Sequence, residues 1–85
     1  MQRRIGFVGI ILESRDGVEV VNRVLSEHAG IILARMGLPC RERGVSVITL
    51  VVEGTTDELG ALSGRLGSIA GVSVKSGLAK ERKPC

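Results

Sequence analysis

Apolar residues recur along this chain with two periods, and each period occurs twice. Residues 4–12 and 45–53 are apolar on alternate positions of both parities: Ile5, Phe7 and Ile11 alternate with Val8, Ile10 and Leu12, and Val45, Val47 and Val51 with Ile48, Leu50 and Val52. Runs of this kind predict strands that are covered on both faces. Between them the period changes. Val18, Val21, Leu25 and His28 form one stripe at helical spacing, and Leu59, Leu62, Leu66 and Ile69 form another, predicting helices over residues 17–29 and 56–69. Two further strands follow the helices, over residues 31–38 and 72–78.

A shift of 41 residues superposes the two halves. It places Ser14 on Thr55, Asp16 on Asp57, Ala29 on Ala70 and Gly30 on Gly71, and it lays one helical stripe on the other. Each stripe opens on a capping residue followed three positions later by an acid, Asp16 with Glu19 and Thr55 with Glu58. Each closes at Ala-Gly, where glycine permits a left-handed turn. Gly60, Gly64 and Gly67 weaken the second helix, and their spacing leaves one side slim enough for a strand or helix to approach.

Two strand-helix-strand units predict an α+β, ferredoxin-like βαββαβ sandwich, a four-stranded antiparallel sheet with two helices on one face. Right-handed crossovers place the first and third strands in the middle. The outer strands include Arg35, Ser73 and Lys75, which discourage uncontrolled strand addition. Two helices cover one sheet face only, so the apolar residues of the other predict a homodimer or tetramer through that face. Residues 1–80 make one domain and residues 81–85 a basic C-terminal tail.

Composition narrows the function. With 85 residues, 44% of them hydrophobic, the chain has room for a single domain and buries only ~60–65% of its unfolded surface. That again favours self-association. Phe7 is the single aromatic residue and the net charge is +3, leaving no platform for stacking unpaired bases. Cys40 and Cys85 form neither a disulfide framework nor a zinc spacing, and no apolar run approaches the ~20 residues of a membrane span. The expected location is the cytoplasm, with no membrane partner and no cofactor.

Chemistry-bearing residues are sparse. The turn Ser14, Arg15, Asp16 and Gly17 opens the first helix beside a central strand and is the candidate ligand-binding element. The only histidine, His28, falls where the second half has Ile69, so its ordinary role is a half-buried ring bonded to a helix-end carbonyl. An alternative is a metal or redox sensor in which His28 and Cys40 meet across a subunit interface. Cys40 is expected in the connection between the second and third strands, between Pro39 and Arg41. Arg41 and Arg43, with Lys80, Arg82 and Lys83, are candidate phosphate or nucleic-acid contacts, but no helix-turn-helix accompanies them. Glu13 and Glu53 each end a central strand, either as solvated ends or as a shared anionic mouth. No grouping of nucleophile, base and acid suggests catalysis, and glycines at 6 and 9 lie inside a strand instead of a phosphate-binding loop.

The order of elements and the Arg15-Asp16-Gly17 turn into a valine-rich helix resemble an ACT-type regulatory domain, which implies sensing of amino acids or other small ligands at subunit interfaces. More specific are the runs Ala34 to Pro39, Gly44 to Val52 and above all Gly54-Thr55-Thr56-Asp57-Glu58-Leu59-Gly60-Ala61-Leu62. These resemble a small bacterial family provisionally labelled iron-only hydrogenase system regulators, over roughly residues 4–80. Its fold is similar to the ligand-binding C-terminal domain of the nickel-responsive repressor. That repressor binds DNA through a separate N-terminal segment, expected to be lacking here because the first strand begins at Arg4. Its nickel site draws on several histidines and a cysteine, so His28 and Cys40 alone carry no such site over. The resemblance implies a non-enzymatic module of transcriptional or hydrogenase-system control, with a small-molecule effector or regulatory protein as partner.

Overall fold

A computed structural model describes residues 2–40 and 42–80. Along the chain run β1 (Arg4–Leu12), a 3₁₀ turn (Arg15–Gly17), α1 (Val18–Glu27), a second 3₁₀ turn (Ala29–Ile31), β2 (Ile32–Cys40), β3 (Val45–Gly54), α2 (Thr56–Gly67) and β4 (Val72–Leu78). The sheet is antiparallel in the order β2-β3-β1-β4. The ferredoxin-like layout and the central placement of β1 and β3 follow the sequence expectation.

The core lies between the sheet and the helices. Val8, Ile10 and Leu12 of β1 and Ile48, Leu50 and Val52 of β3 meet Val21, Val24 and Leu25 of α1 and Leu59, Leu62 and Leu66 of α2, all buried. Every second residue of the central strands thus points one way, as a strand's period of two requires. Register places their alternates together on the opposite face, where Phe7 pairs with Val51 and Ile11 with Val47. Phe7, Ile11 and Val51 are exposed there. Among the described residues this face has no helix over it, and the two-sided apolar pattern of the central strands leaves an open apolar sheet surface.

The two helices start differently despite the repeat. At α2 the Thr55 hydroxyl accepts from the Glu58 amide at 3.1 Å while the Thr55 amide donates to Glu58 Oε1 at 2.8 Å, a complete capping box. Arg3 adds an ion pair to the same carboxylate at 3.1 Å. Asp16 caps nothing. It lies inside the 3₁₀ turn, and neither Ser14 nor Gly17 makes a side-chain cap bond for the helical segments that follow.

The helix ends also diverge from the expected Ala-Gly stops. α1 stops at Glu27 and α2 at Gly67, each two residues short of the predicted end. Gly71 takes the left-handed conformation (φ +77°), whereas Gly30 has no positive φ and sits in a 3₁₀ turn. The chain therefore enters β2 by tightening and β4 by a left-handed reversal. Gly60, Gly64 and Gly67 do not receive a neighbouring strand or helix. A Cβ at any of the three would meet nothing within 4 Å, so the slim side of α2 faces open space. The Arg65–Glu27 ion pair ties the two helices together at the surface.

Candidate functional site

Where β1 leaves the sheet toward α1, the chain passes beside the hairpin joining β2 to β3. A cleft of ≈ 510 Å³ opens between them. One wall is Ser14 and Arg15 of the turn with Val18 and Glu19 of the first helical turn. The other is Pro39 and Cys40 at the end of β2 with Gly44, Val45 and Ser46 at the start of β3. The volume falls in the range of small-molecule pockets, ~300–1,000 Å³.

Local chemistry explains the hairpin wall. Pro39 has no amide proton and is tolerated because β2 is an edge strand. Gly44 adopts φ +68°, the left-handed conformation that turns the chain into β3, and the Arg43 amide donates to the Cys40 carbonyl at 3.2 Å across the turn. On the other wall, the Glu13 amide donates to the Gly71 carbonyl at 2.8 Å, which anchors the turn to the segment before β4.

The cleft has a mixed lining. Val18, Val45 and Pro39 supply apolar surface, Ser14 and Ser46 hydroxyls, and the exposed Arg15 and Glu19 one charge of each sign at the rim. Two opposite charges beside a small apolar slot suit a compact ligand that carries both signs or a charge with a hydrogen-bonding group.

The predicted ligand turn is divided by the structure. Ser14 and Arg15 line the cleft, whereas Asp16 is exposed and absent from its walls. Gly17 is buried, with Ile69 and Val72 methyl groups 3.6 and 3.7 Å from where its Cβ would stand, so its role is packing. Cys40 is not in the connection between the second and third strands, where the sequence expectation places it, because β2 runs on through it. It is the last residue of β2, half-buried, and it joins Ser14 and Arg15 in one site.

His28 sits at the opposite end of the molecule. Its Nδ1 lies 2.9 Å from the Val24 carbonyl, the half-buried helix-end bond expected of it. β2 begins four residues after His28 and ends at Cys40, so about eight strand steps of ~3.3 Å separate the two. They cannot share an ion within one chain. Among the described residues no three His, Cys, Asp or Glu side chains are grouped to hold a metal. Glu13 and Glu53 do not share a mouth either, because β1 and β3 are antiparallel: Glu53 pairs with Ile5 near the start of β1, whereas Glu13 follows its end. Arg43 is exposed in the hairpin and Lys80 is exposed after β4, while Arg41 and residues 81–85 lie outside the described residues. No described helix is long and apolar enough to cross a membrane.

Sequence reading missed Pro39, Gly44, Val45 and Ser46 as partners of Ser14 and Arg15. Antiparallel pairing of β1 with β3 brings Leu12 opposite Ser46 and so delivers the hairpin to the turn. The signal available beforehand was the Pro39 to Gly44 hairpin itself, read as a connection and a basic patch but not as a wall of the ligand site.

The comparisons with known proteins agree with this architecture. A protein of Thermotoga maritima, TM1266, described as uncharacterized, superposes with a TM-score of 0.90 at 39% identity, covering 93% of this chain and 100% of that one. The ACT domain of a GTP pyrophosphokinase from Chlorobium tepidum matches at a TM-score of 0.75 and 20% identity, over 88% of this chain and 99% of that one. A formyltetrahydrofolate deformylase from Pseudomonas putida contains a similar fold over 30% of its length, with a TM-score of 0.63 and 20% identity across 94% of this chain. These two show the fold alone. No curated protein is significantly similar. The TM1266-like family, provisionally described as iron-only hydrogenase system regulators, matches residues 4–76, and the chain belongs to that family.

Proposed function

We propose that this chain is a non-enzymatic regulatory module of the cytoplasm, oligomeric, which binds a small effector in the cleft between the Ser14–Arg15 turn and the Cys40–Ser46 hairpin. The observation that carries the reading is the cleft's assembly. Two segments some 25 residues apart in sequence meet to form a slot of ligand size with a cation, an acid and two hydroxyls around apolar walls. The family description supports a regulatory role, and the ACT-type fold supports a binding module.

Within this reading Arg15 pairs with an anionic group of the effector and Glu19 with a cationic one, while Val18 and Val45 cover its apolar part. Free amino acids and similarly sized zwitterions have that chemistry. A thermal-shift screen of the protein against amino acids, nucleotides and divalent metals tests it. A ligand at 100 times its dissociation constant stabilises the fold by about 2.7 kcal/mol. Stabilisation by a zwitterion that is lost in Arg15→Ala supports the reading; a response confined to metals would replace it with the sensor reading.

A further inference from the structure

The open sheet face has a hole at its centre that the chain's own packing does not require. Gly9 lies midway along β1, paired with Thr49 on one side and Lys75 on the other. At two other glycines of this sheet an added side chain would collide with its neighbours. A Cβ at Gly77 would stand 2.7 Å from the Phe7 ring, and one at Gly6 would stand 2.7 Å from Leu78 Cδ2 and press on the Gly77 carbonyl. At Gly9 a Cβ would meet only the Lys75 carbonyl, at an ordinary 3.7 Å, and the residue has no positive φ. Glycine inside a strand costs stability through lost side-chain packing and backbone entropy, and where the chain itself does not demand it, it marks close approach of another backbone or ligand.

What surrounds Gly9 identifies the visitor. The pairing register puts Phe7, Ile11, Val47 and Val51 around it, with Met36 and Leu38 toward the β2 edge. Met36 and Leu38 are 71% and 67% exposed. Among the described strand residues the charges on this face are Glu53 on β3, opposite Ile5, and Lys75 on β4, beside Gly9, one of each sign. Four strands ~4.8 Å apart and about nine residues long at ~3.3 Å each span roughly 19 Å by 30 Å. That footprint, with the relief of its side chains, is of the order of the ~800 Å² each partner contributes to a standard stable interface. Exposed apolar residues across β2, β3 and β1, few charges and sufficient size are what a self-complementary twofold contact needs.

We infer that a second copy of this chain packs its own open face here, sheet on sheet, with the two backbones closest over Gly9 and Thr49. The inference rests on the reading that the module is oligomeric, and it specifies the surface and the point of closest approach. Cys40 and Val45 belong both to this face, by register, and to the wall of the cleft. The contact thus extends to the hairpin that forms one wall of the cleft.

Sedimentation equilibrium of the full chain from about 1 to 100 µM tests this, on the parent protein and on Gly9→Val, Thr49→Arg and Val20→Lys. Thr49 is already exposed and polar, so arginine there burdens a lone chain little, and circular dichroism verifies the fold of each variant. The expected result is a parent that is dimeric or larger, at least tenfold weaker association in Gly9→Val and Thr49→Arg, and unchanged association in Val20→Lys, whose site is exposed on α1. If Gly9→Val does not fold, Thr49→Arg decides. A parent that is monomeric at 100 µM overturns the oligomeric reading and this inference together. A dimeric parent whose folded variants associate equally well overturns this face alone, since self-association then uses another surface.

Discussion

Phe7 lies across Gly77. The two are partners in the β1–β4 ladder, and a Cβ at position 77 would stand 2.7 Å from Phe7 Cε1 and 3.1 Å from Cζ. The lone aromatic ring of the chain thus fills the space that a side chain on the edge strand would have used. It does so on the open face, where it is 51% exposed.

The relationship predicts a coupling. Gly77→Ala destabilises the fold because the ring must swing away, and the cost shrinks when Phe7 is already alanine. A double-mutant cycle by urea denaturation is expected to give a coupling of about 1 kcal/mol, within the ~0.5–3 kcal/mol seen for contacting residues. Additive costs would mean that ring and glycine do not touch.

The helix starts give a second contrast. Thr55→Ala removes one half of a complete capping box and is expected to cost about 1 kcal/mol. Asp16→Ala removes an exposed side chain that caps nothing and should stay within ~0.5 kcal/mol of the parent. Equal losses at the two sites would restore the repeat-based expectation that both helices are capped alike.

Glu58 sets the acid side of the stability profile. The Thr55 amide bond is the main cause holding its carboxyl below the ordinary value, opposed by desolvation and helped by Arg3 and the Thr55 hydroxyl. A carboxyl depressed in the folded state contributes stability that is present above its unfolded value, 4.5, and is lost as pH falls through the lower folded value. Thermal melts between pH 7 and pH 3 should therefore fall less steeply below pH 4.5 for Glu58→Gln than for the parent. Parallel curves would contradict the assignment.

Neighbouring residues on β3 report the two faces of the sheet. Leu50 is fully buried under the helices, and Leu50→Ala is expected to cost about 2–5 kcal/mol. Val51, next in sequence and exposed on the open face, should cost less than about 1 kcal/mol as alanine at a concentration where the chain is monomeric. Denaturant midpoints of the two variants check this directly, and similar losses would mean the face is covered within the chain itself.

The fold was readable because its signals are local and doubled. Alternation in β1 and β3 and the stripes of α1 and α2 each appear within a dozen residues, and β1 and β4 run over the predicted residues. The repeat misled where identity of residue type hid a difference of backbone. Ala29-Gly30 and Ala70-Gly71 look alike, yet only Gly71 is left-handed, because the path into β4 needs a reversal and the path into β2 does not. Asp16 and Asp57 also coincide, but Asp16 is absorbed into a 3₁₀ turn. The site was half legible. Ser14 and Arg15 stood out as a turn opening a helix, whereas Cys40, Val45 and Ser46 reach them only through the register of β1 against β3, a long-range property that no local pattern encodes.

The slot between the turn and the hairpin is where the proposed effector binds. The most direct measurement is an amide chemical-shift map of the isotopically labelled protein titrated with the compound that raises its melting temperature most in the screen. Saturable shifts concentrated at Ser14, Arg15, Val18, Cys40, Val45 and Ser46, and abolished in Arg15→Ala, are the predicted result. Shifts centred on α2 or around His28, or no saturable shift with any amino acid or nucleotide, would contradict it.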